Sequence, residues 1–172
     1  FLGYTQESAE TSVLALLREG ERVEEANEGD EVEIVLAETP FYAERGGQLG
    51  DTGEIRNTGV SVLVTNTTYG AGDLVVHRGR VHSGALSVGS RVSAVVDTSR
   101  RWAIRRHHSA THLLHEALVR RLGSHVRQAG SLVTPELLRF DFTHFEARRG
   151  EDLEAIELVV NEEIVKNTPV TV

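Results

Sequence analysis

Residues 105–115 read Arg-Arg-His-His-Ser-Ala-Thr-His-Leu-Leu-His. Within this stretch His108, His112 and His115 follow one another at spacings of four and three residues. Because residues three or four apart lie on one face of a helix, all three imidazoles would share one stripe. Two imidazoles one helical turn apart are a known way to hold a single metal ion. The stretch therefore predicts a helix that carries a candidate metal site.

The helical pattern extends well beyond this stretch, from residue 99 to residue 122. One stripe collects Ala103, Ile104, His107, Ala110, Thr111, Leu114 and Leu118. Gly123 then follows as a favourable residue for ending a helix. A second amphipathic helix is predicted over residues 150–166, with acidic residues in its first turn, where the helix dipole favours them. Strands are predicted near Gly130, over residues 138–142 and over residues 170–172.

Residues 1–98 show a different pattern, with short β-strands between turns. Val32, Ile34 and Leu36 alternate with Glu31, Glu33 and Val35, which indicates a strand with one buried face. Further strands are predicted over residues 53–56, 61–67, 74–81 and 91–97, which is typical of a small barrel or sandwich. The apolar run 13–17 fits a helix or a strand, and Gly20 favours a hairpin with a second strand near Val23.

The composition excludes several classes of protein. The 172 residues include no cysteine, so disulfides and thiolate ligands are excluded within the chain and the cytoplasm is the default compartment. No apolar run is long enough to cross a membrane, and no signal peptide is visible. Methionine is also absent, which indicates a segment of a longer protein.

Charge is distributed unevenly along the chain. The formal net charge is −8, and residues 1–58 carry 14 acidic against 4 basic side chains. Residues 77–130, in contrast, carry 10 arginines against Asp97 and Glu116 only. Because a local field decides whether a polyanion approaches, this second region suits a nucleic acid, although arginines also decorate ordinary solvated faces.

Two further features of the sequence limit the chemistry. Four glycines lie within residues 46–53, a spacing that matches neither a P-loop nor a dinucleotide fingerprint and also suits a plain barrel turn. Ser109 stands where a zinc protease has its glutamate base, so that a metalloprotease is disfavoured.

His107 lies about 100° around the helix from His108 and should point elsewhere. We expect His115 to pack or to support the other two histidines.

Four blocks of this sequence closely resemble the editing domain of bacterial alanyl-tRNA synthetases, specifically its N-terminal part. They are Thr-Pro-Phe-Tyr-Ala-Glu-Arg-Gly-Gly-Gln-Leu-Gly-Asp-Thr-Gly (39–53), His-Ser-Ala-Thr-His-Leu-Leu-His (108–115), Gly-Ser-His-Val-Arg-Gln-Ala-Gly-Ser-Leu-Val (123–133) and Leu-Arg-Phe-Asp-Phe-Thr-His (138–144). Free-standing alanyl-tRNA editing proteins share these motifs. The resemblance implies an α+β fold, with a small antiparallel β-barrel (residues 1–98) followed by an α+β editing core (residues 99–172) that contains the long histidine-bearing helix.

The resemblance also implies an activity, the hydrolysis of mischarged Ser-tRNA(Ala) and Gly-tRNA(Ala), and its residues. His108 and His112 match two of the four Zn²⁺ ligands of the family, and Thr111 matches a threonine that helps to discriminate serine from alanine. Gln128 matches an active-site glutamine, and the family's Gly-Gly-Gln loop matches Gly46, Gly47 and Gln48. We expect Arg105 and Arg106 to receive phosphates of the tRNA(Ala) acceptor end, and the rest of the synthetase chain to be the other partner.

The sequence departs from the family in one respect. The family completes its zinc site with a later Cys-x-x-x-His pair, and this chain contains no cysteine. We therefore expect weak zinc binding and impaired editing, because two histidines with water form an open site of low affinity. The alternative is a catalytically silent tRNA-binding fragment. Thr111 as a packed helix residue and Gln128 as an exposed loop amide are the corresponding alternatives for those two positions.

Overall fold

A computed structural model describes residues 1–145 and 150–169, which form two compact units, residues 1–101 and the described residues from 102 onward. The first unit contains the strands β1 (Ser8–Arg18), β2 (Glu21–Val23), β3 (Glu25–Asn27), β4 (Glu31–Leu36), β5 (Gly53–Asn57), β6 (Val60–Tyr69), β7 (Val75–Ser87) and β8 (Arg91–Val96). The helix α1 (Thr98–Leu122) begins at its end. The second unit continues with β9 (Arg127–Val133), β10 (Leu138–Thr143) and α2 (Gly150–Lys166). The predicted α+β class is confirmed.

The strands β1 and β2 form a hairpin, as Gly20 indicated in the sequence, and not a helix. β1 and β2 pair antiparallel, with Leu16 opposite Val23 and Arg18 opposite Glu21. Glu19 and Gly20 between them have φ angles of 52° and 84°. A two-residue hairpin turn with both φ angles positive matches the twist of the flanking strands, and glycine adopts such an angle without strain.

Six antiparallel strands close into a barrel. Their order is β1-β4-β7-β6-β5-β8, and β8 pairs again with β1, for example through Ala9 and Ala94. β2 extends the sheet beside β1, and β3 pairs with β7. Closure removes the free edges that would otherwise pair with other chains. The sequence pattern is typical of a barrel or a sandwich, and the structure shows a barrel.

The barrel core is filled by the inward side of each strand. Along β6 the residues Val60, Val62 and Val64 are buried, whereas Leu63 between them is exposed. The same core contains Val13, Leu16, Ile34, Phe41, Ile55, Val81, Leu86 and Val92. The alternation follows from the two-residue period of a strand, and β-branched side chains suit it.

One buried histidine lies among these apolar residues. His77 on β7 is fully buried, and its Nδ1 lies 3.0 Å from the carbonyl oxygen of Ile34. Since a carbonyl only accepts, Nδ1 carries the proton and Nε2 accepts from the Thr39 hydroxyl at 2.7 Å. The Thr39 oxygen in turn accepts from the Phe41 N–H at 3.0 Å. This chain of hydrogen bonds holds the start of the glycine-rich loop (residues 39–53) against the barrel.

Burial lowers the pKa of His77 from its ordinary value of 6.5 to about 4, against the opposing effect of the hydrogen bond to Ile34. As the pH falls, His77 is therefore protonated at a higher pH in the unfolded chain than in the folded chain. We expect the contribution of His77 to stability to be complete above pH 6.5 and to be lost between pH 6.5 and pH 4, by about 3 kcal/mol in total. Urea unfolding at several pH values measures this loss.

Two variants separate His77 from the other titrating groups. His77→Gln should flatten the pH dependence between 6.5 and 4, whereas His82→Gln, at an exposed position on the same strand, should preserve it. An NMR titration of the folded chain reads the His77 pKa directly. A value near 6.5 in that titration would contradict the assignment.

The long helix α1 begins at a capping aspartate. The Asp97 Oδ1 accepts from the Arg100 N–H at 3.0 Å and from the Ser99 hydroxyl at 2.7 Å, which lowers the pKa of Asp97. A carboxylate at this position accepts a hydrogen bond from a free N–H of the first turn, and its negative charge interacts favourably with the helix dipole. The helix ends at Leu122, and Gly123 follows with φ of 111°. The predicted helix over residues 99–122 is confirmed.

The second unit packs a two-stranded sheet and α2 against α1. Its apolar cluster comprises Ala117, Leu118, Val126 and Ile156, with Leu114, Phe140, Phe142, Val159 and Val160 around them. The Arg121 guanidinium contacts the Asp152 carboxylate at 2.9 Å and joins the two helices. The predicted strands near Gly130 and over residues 138–142 and the helix over residues 150–166 are confirmed, whereas the strand predicted over residues 170–172 lies outside the described residues.

Candidate functional site

The imidazole pair, His108 and His112, lies on the solvent-exposed face of α1. The two ring centroids are 5.0 Å apart, and the ring planes are tilted by 44°. Desolvation lowers the pKa of His108 below its usual value, and the neighbouring His112 lowers it further. A neutral imidazole is the form that binds a metal ion. The structure therefore brings together the two histidines that the spacing predicted.

The histidines on either side of this pair have structural contacts. The Nδ1 of His107 lies 2.7 Å from the Thr134 carbonyl oxygen, to which it donates. This bond joins α1 to the turn between β9 and β10. The His115 ring packs on Phe140, with 5.1 Å between centroids. The expectations that His107 points away and that His115 packs are both confirmed.

Thr111 lies between the two imidazoles in sequence, and it is buried, with 8% of its surface exposed. Its hydroxyl donates to the His107 carbonyl oxygen at 2.8 Å, four residues earlier in the helix. The hydroxyl proton is thus engaged with the backbone, while the oxygen retains acceptor capacity.

Gln128 lies on β9, opposite Phe142 of β10. Its side chain is exposed, and its amide nitrogen donates to the Ser131 hydroxyl at 3.2 Å. The glutamine therefore belongs to the same unit as the imidazole pair, but it lies on a strand rather than in a loop. Its amide can turn to another partner, because the bond to Ser131 is exposed and long.

The Gly-Gly-Gln segment forms a tight turn in the barrel unit. Arg45 and Gln48 exchange backbone hydrogen bonds of 3.2 Å and 3.1 Å. Gly46 and Gly47 between them have φ angles of 62° and 84°, a conformation that favours glycine. The Arg45 guanidinium lies over the Tyr69 ring, 5.9 Å from its centroid. Gly46 and Gly47 therefore form the tip of the turn, and Gln48 follows it in a backbone pair with Arg45.

A buried ion pair secures this loop. The Arg101 Nε donates to the Asp51 carboxylate at 3.1 Å, and its Nη2 contacts the same carboxylate. The guanidinium also donates to the backbone oxygens of Pro40 and Gln6. Both charged side chains are at most 4% exposed. Arg101 therefore joins both ends of the glycine-rich loop to the N-terminal segment.

Arg105 and Arg106 precede the imidazole pair on α1. Arg106 is exposed, and Arg105 is half-buried with its guanidinium 5.1 Å from the centroid of the Trp102 ring. Trp102 itself is 49% exposed. These side chains place positive charge and an aromatic surface on the helix that carries the imidazole pair.

The imidazole pair fits part of a zinc site. Two imidazoles one turn apart supply two of the four ligands of a structural site, or two of the three protein ligands of a catalytic one. Within residues 1–145 and 150–169, no group of three or more His, Cys, Asp or Glu side chains is placed to hold one metal ion. His125 and His144, the two histidines that follow α1, hydrogen-bond to each other at 2.8 Å.

Sequence reasoning did not find Asp51, Arg101 or Trp102. The first two are charged residues in a region of many charges, so that nothing in the pattern marks them as buried. A signal did exist for Trp102, because an aromatic residue three positions before an arginine on a helix predicts contact between them.

Comparisons of the sequence with known proteins show the family of the chain. Residues 1–100 match the family described as tRNA synthetases class II (A). The chain belongs to this family. Among the curated proteins, it is 49% identical over 171 residues to an alanine–tRNA ligase of Mesorhizobium japonicum. It is 51% identical over 171 residues to that of Granulibacter bethesdensis and 51% identical over 170 residues to that of Desulfitobacterium hafniense.

These matches cover 99% of the present chain but 19% of each relative. The class II (A) segment described here thus spans about a fifth of the length of the curated relatives that it matches. In the part of the chain that the structure describes, neither helix has the length and hydropathy needed to span a membrane.

Proposed function

We propose that the chain is a hydrolytic editing segment of an alanine–tRNA ligase, acting in the cytoplasm on tRNA(Ala) mischarged with serine or glycine. The observation that carries this proposal is the exposed imidazole pair on α1, with the buried Thr111 between its members. Sequence identities of 49% and 51% to alanine–tRNA ligases over nearly the whole chain support the choice of tRNA. The other partner is the rest of the synthetase chain.

His108 and His112 would hold Zn²⁺ together with ligands that the described residues do not supply. Bound zinc supplies Lewis acidity toward a carbonyl oxygen or a water molecule. An aminoacyl ester is already activated, so that attack by a positioned water suffices. Arg105 and Arg106 would contact acceptor-end phosphates, since guanidinium groups bind phosphate oxygens in a fixed geometry.

Discrimination between serine and alanine would rest on Thr111. Its proton is donated to the His107 carbonyl, so that its oxygen offers a lone pair to an incoming hydroxyl. Seryl esters possess that hydroxyl and alanyl esters do not. A site that hydrogen-bonds a substrate hydroxyl discriminates far better than an apolar pocket does. Gln128 is a further polar group of the same unit that would contact the substrate, and Gly46, Gly47 and Gln48 of the barrel unit would contact the tRNA.

Thr111→Val tests this role directly. We expect the ratio of seryl-tRNA to alanyl-tRNA hydrolysis to fall by about tenfold, the equivalent of one hydrogen bond. The helix itself should persist, because valine fills a similar volume. Ser109→Ala, which removes an exposed hydroxyl from the same helix, is the matched control and should leave the ratio unchanged. An unchanged ratio in Thr111→Val would remove Thr111 from the discrimination of substrates.

A catalytically silent tRNA-binding segment is the second candidate. It is favoured by the absence of a third metal-binding side chain near the imidazole pair within the described residues. Arg105 and Arg106 support binding of RNA under both candidates. Under this second candidate Thr111→Val changes nothing measurable, and RNA binds without hydrolysis of its ester.

A further inference from the structure

The exposed face of α1 carries the single tryptophan of the chain. Trp102 is 49% exposed, although a large aromatic side chain is usually mostly buried. The Arg105 guanidinium lies 5.1 Å from the centroid of its ring. An exposed ring beside a guanidinium resembles the surfaces on which proteins stack unpaired nucleobases, since every base has a π face.

The charges around this tryptophan suit a polyanion. Arg100, Arg101, Arg105 and Arg106 all lie within four residues of Trp102. Arg101 is buried in its ion pair and Arg100 donates to the Gly50 carbonyl oxygen at 2.8 Å, whereas Arg106 is exposed. The nearest acidic residue in sequence, Asp97, is engaged as the cap of the helix. The surroundings therefore suit a polyanion, and an RNA also supplies the unpaired bases on which an exposed ring can stack.

Trp102 lies on the same helix as the imidazole pair, at a distance that the helix rise gives. Trp102, Arg105, His108 and His112 follow at spacings of three, three and four residues, which makes them successive neighbours on the helix surface. Along the helix axis, Trp102 lies about 9 Å from His108 and about 15 Å from His112. This distance corresponds to roughly three or four stacked nucleotides at about 3.4 Å each.

We propose that Trp102, supported by Arg105, is a positioning residue that stacks on an unpaired base of the tRNA acceptor end. This base lies three or four nucleotides from the esterified terminus, whose ester reaches the imidazole pair. The inference rests on the proposed function for the identity of the RNA. It assigns Trp102 no contact with the ester itself.

The single tryptophan provides a spectroscopic test. The probes are an RNA hairpin with four unpaired 3′ nucleotides, the same hairpin with a blunt end, and tailed hairpins with one abasic position each. We expect the tailed hairpin to quench the Trp102 fluorescence and the blunt hairpin to leave it unchanged. Among the abasic hairpins, the loss of quenching should be greatest for a position three or four nucleotides from the end.

Affinity measurements on variants complete the test. Trp102→Ala should weaken binding of the tailed hairpin about tenfold, and Trp102→Phe should restore most of it, because a phenyl ring still stacks. Tyr4→Ala, at an aromatic residue 88% exposed in the other unit, is the matched control and should bind like the parent chain. Binding of the tailed hairpin without quenching, or equal affinity of Trp102→Ala, would overturn the proposal.

Hydrolysis of seryl-tRNA, measured in parallel on a chain extended by a Cys-x-x-x-His segment of the kind that the family resemblance implies, separates this inference from the proposed function. Quenching without hydrolysis supports the stacking role and counts against editing. Hydrolysis without quenching supports editing and overturns the stacking role. If a protein segment rather than RNA covers Trp102, none of the hairpins binds, and the stacking role is again overturned.

Discussion

Replacement of Arg101 with methionine is expected to lower the free energy of unfolding by about 3–5 kcal/mol, because it leaves the Asp51 carboxylate buried without its counter-charge. The backbone oxygens of Pro40 and Gln6 lose a donor in the same variant. Urea denaturation followed by far-ultraviolet circular dichroism measures the loss. Because Arg101 joins both ends of the glycine-rich loop, the turn at Gly46 and Gly47 should also lose its fixed position.

Two controls separate the buried charge from general damage to the barrel. Arg78→Met breaks the exposed pair with Glu33, whose side chains are 58% and 36% exposed, and should cost less than about 1 kcal/mol. Adding Asp51→Asn to Arg101→Met removes the unpaired charge and keeps an acceptor for the Tyr42 N–H. The double variant should therefore be more stable than Arg101→Met alone. A cost for Arg101→Met as small as that for Arg78→Met would contradict the account.

Loss of either member of the imidazole pair is expected to abolish zinc binding and ester hydrolysis. The relevant protein is a chain extended by a Cys-x-x-x-His segment of the kind that the family resemblance implies. In that chain, His108→Ala or His112→Ala should lower the rate of seryl-tRNA hydrolysis by at least about 100-fold, since even outer-shell partners of a metal ligand are worth 10–100-fold in metal affinity. Zinc content by atomic absorption and single-turnover hydrolysis are the measurements.

His115→Ala is the matched control on the same helix. Its ring packs on Phe140, so that its loss should lower stability but leave one zinc ion bound. If His115→Ala lost zinc and His108→Ala kept it, the choice of ligands would be wrong. If all three variants kept both zinc and hydrolysis, the site would have to lie elsewhere in the chain.

Much of the fold could be predicted from periodicity. The alternation over residues 31–36, the glycine at position 20 and the helical stripe over residues 99–122 each reflect a strong local preference, and each matches the structure. The strand β3 was not predicted, because its three residues contain only one buried side chain, Ala26. Pairing with β7 rather than local propensity makes this segment a strand.

The polar interior of the barrel could not be predicted in the same way. His77, Thr39 and Thr67 are at most 5% exposed, although nothing in their local sequence marks them as buried. Their burial depends on hydrogen-bond partners that are distant in sequence, such as Ile34 for His77 and Asp51 for Thr67. Only the closed barrel brings these partners together.

For the candidate site, spacing alone predicted the imidazole pair, the different direction of His107 and the packing of His115. The family resemblance supplied the roles of Thr111, Gln128 and the Gly-Gly-Gln turn. Neither approach showed that the Thr111 hydroxyl donates to the His107 carbonyl, because that bond depends on the rotamer of a buried side chain. The bond matters, since it leaves Thr111 as an acceptor toward a seryl hydroxyl.

The central claim is that this chain carries two ligands of a zinc-dependent editing site. Seryl-tRNA hydrolysis by the 172-residue chain, beside the extended chain and at the same total zinc concentration, tests it most directly. We predict little bound zinc and slow hydrolysis for the 172-residue chain, and one bound zinc with hydrolysis at least about 100-fold faster for the extended chain. One tightly bound zinc and full turnover in the 172-residue chain would contradict the claim.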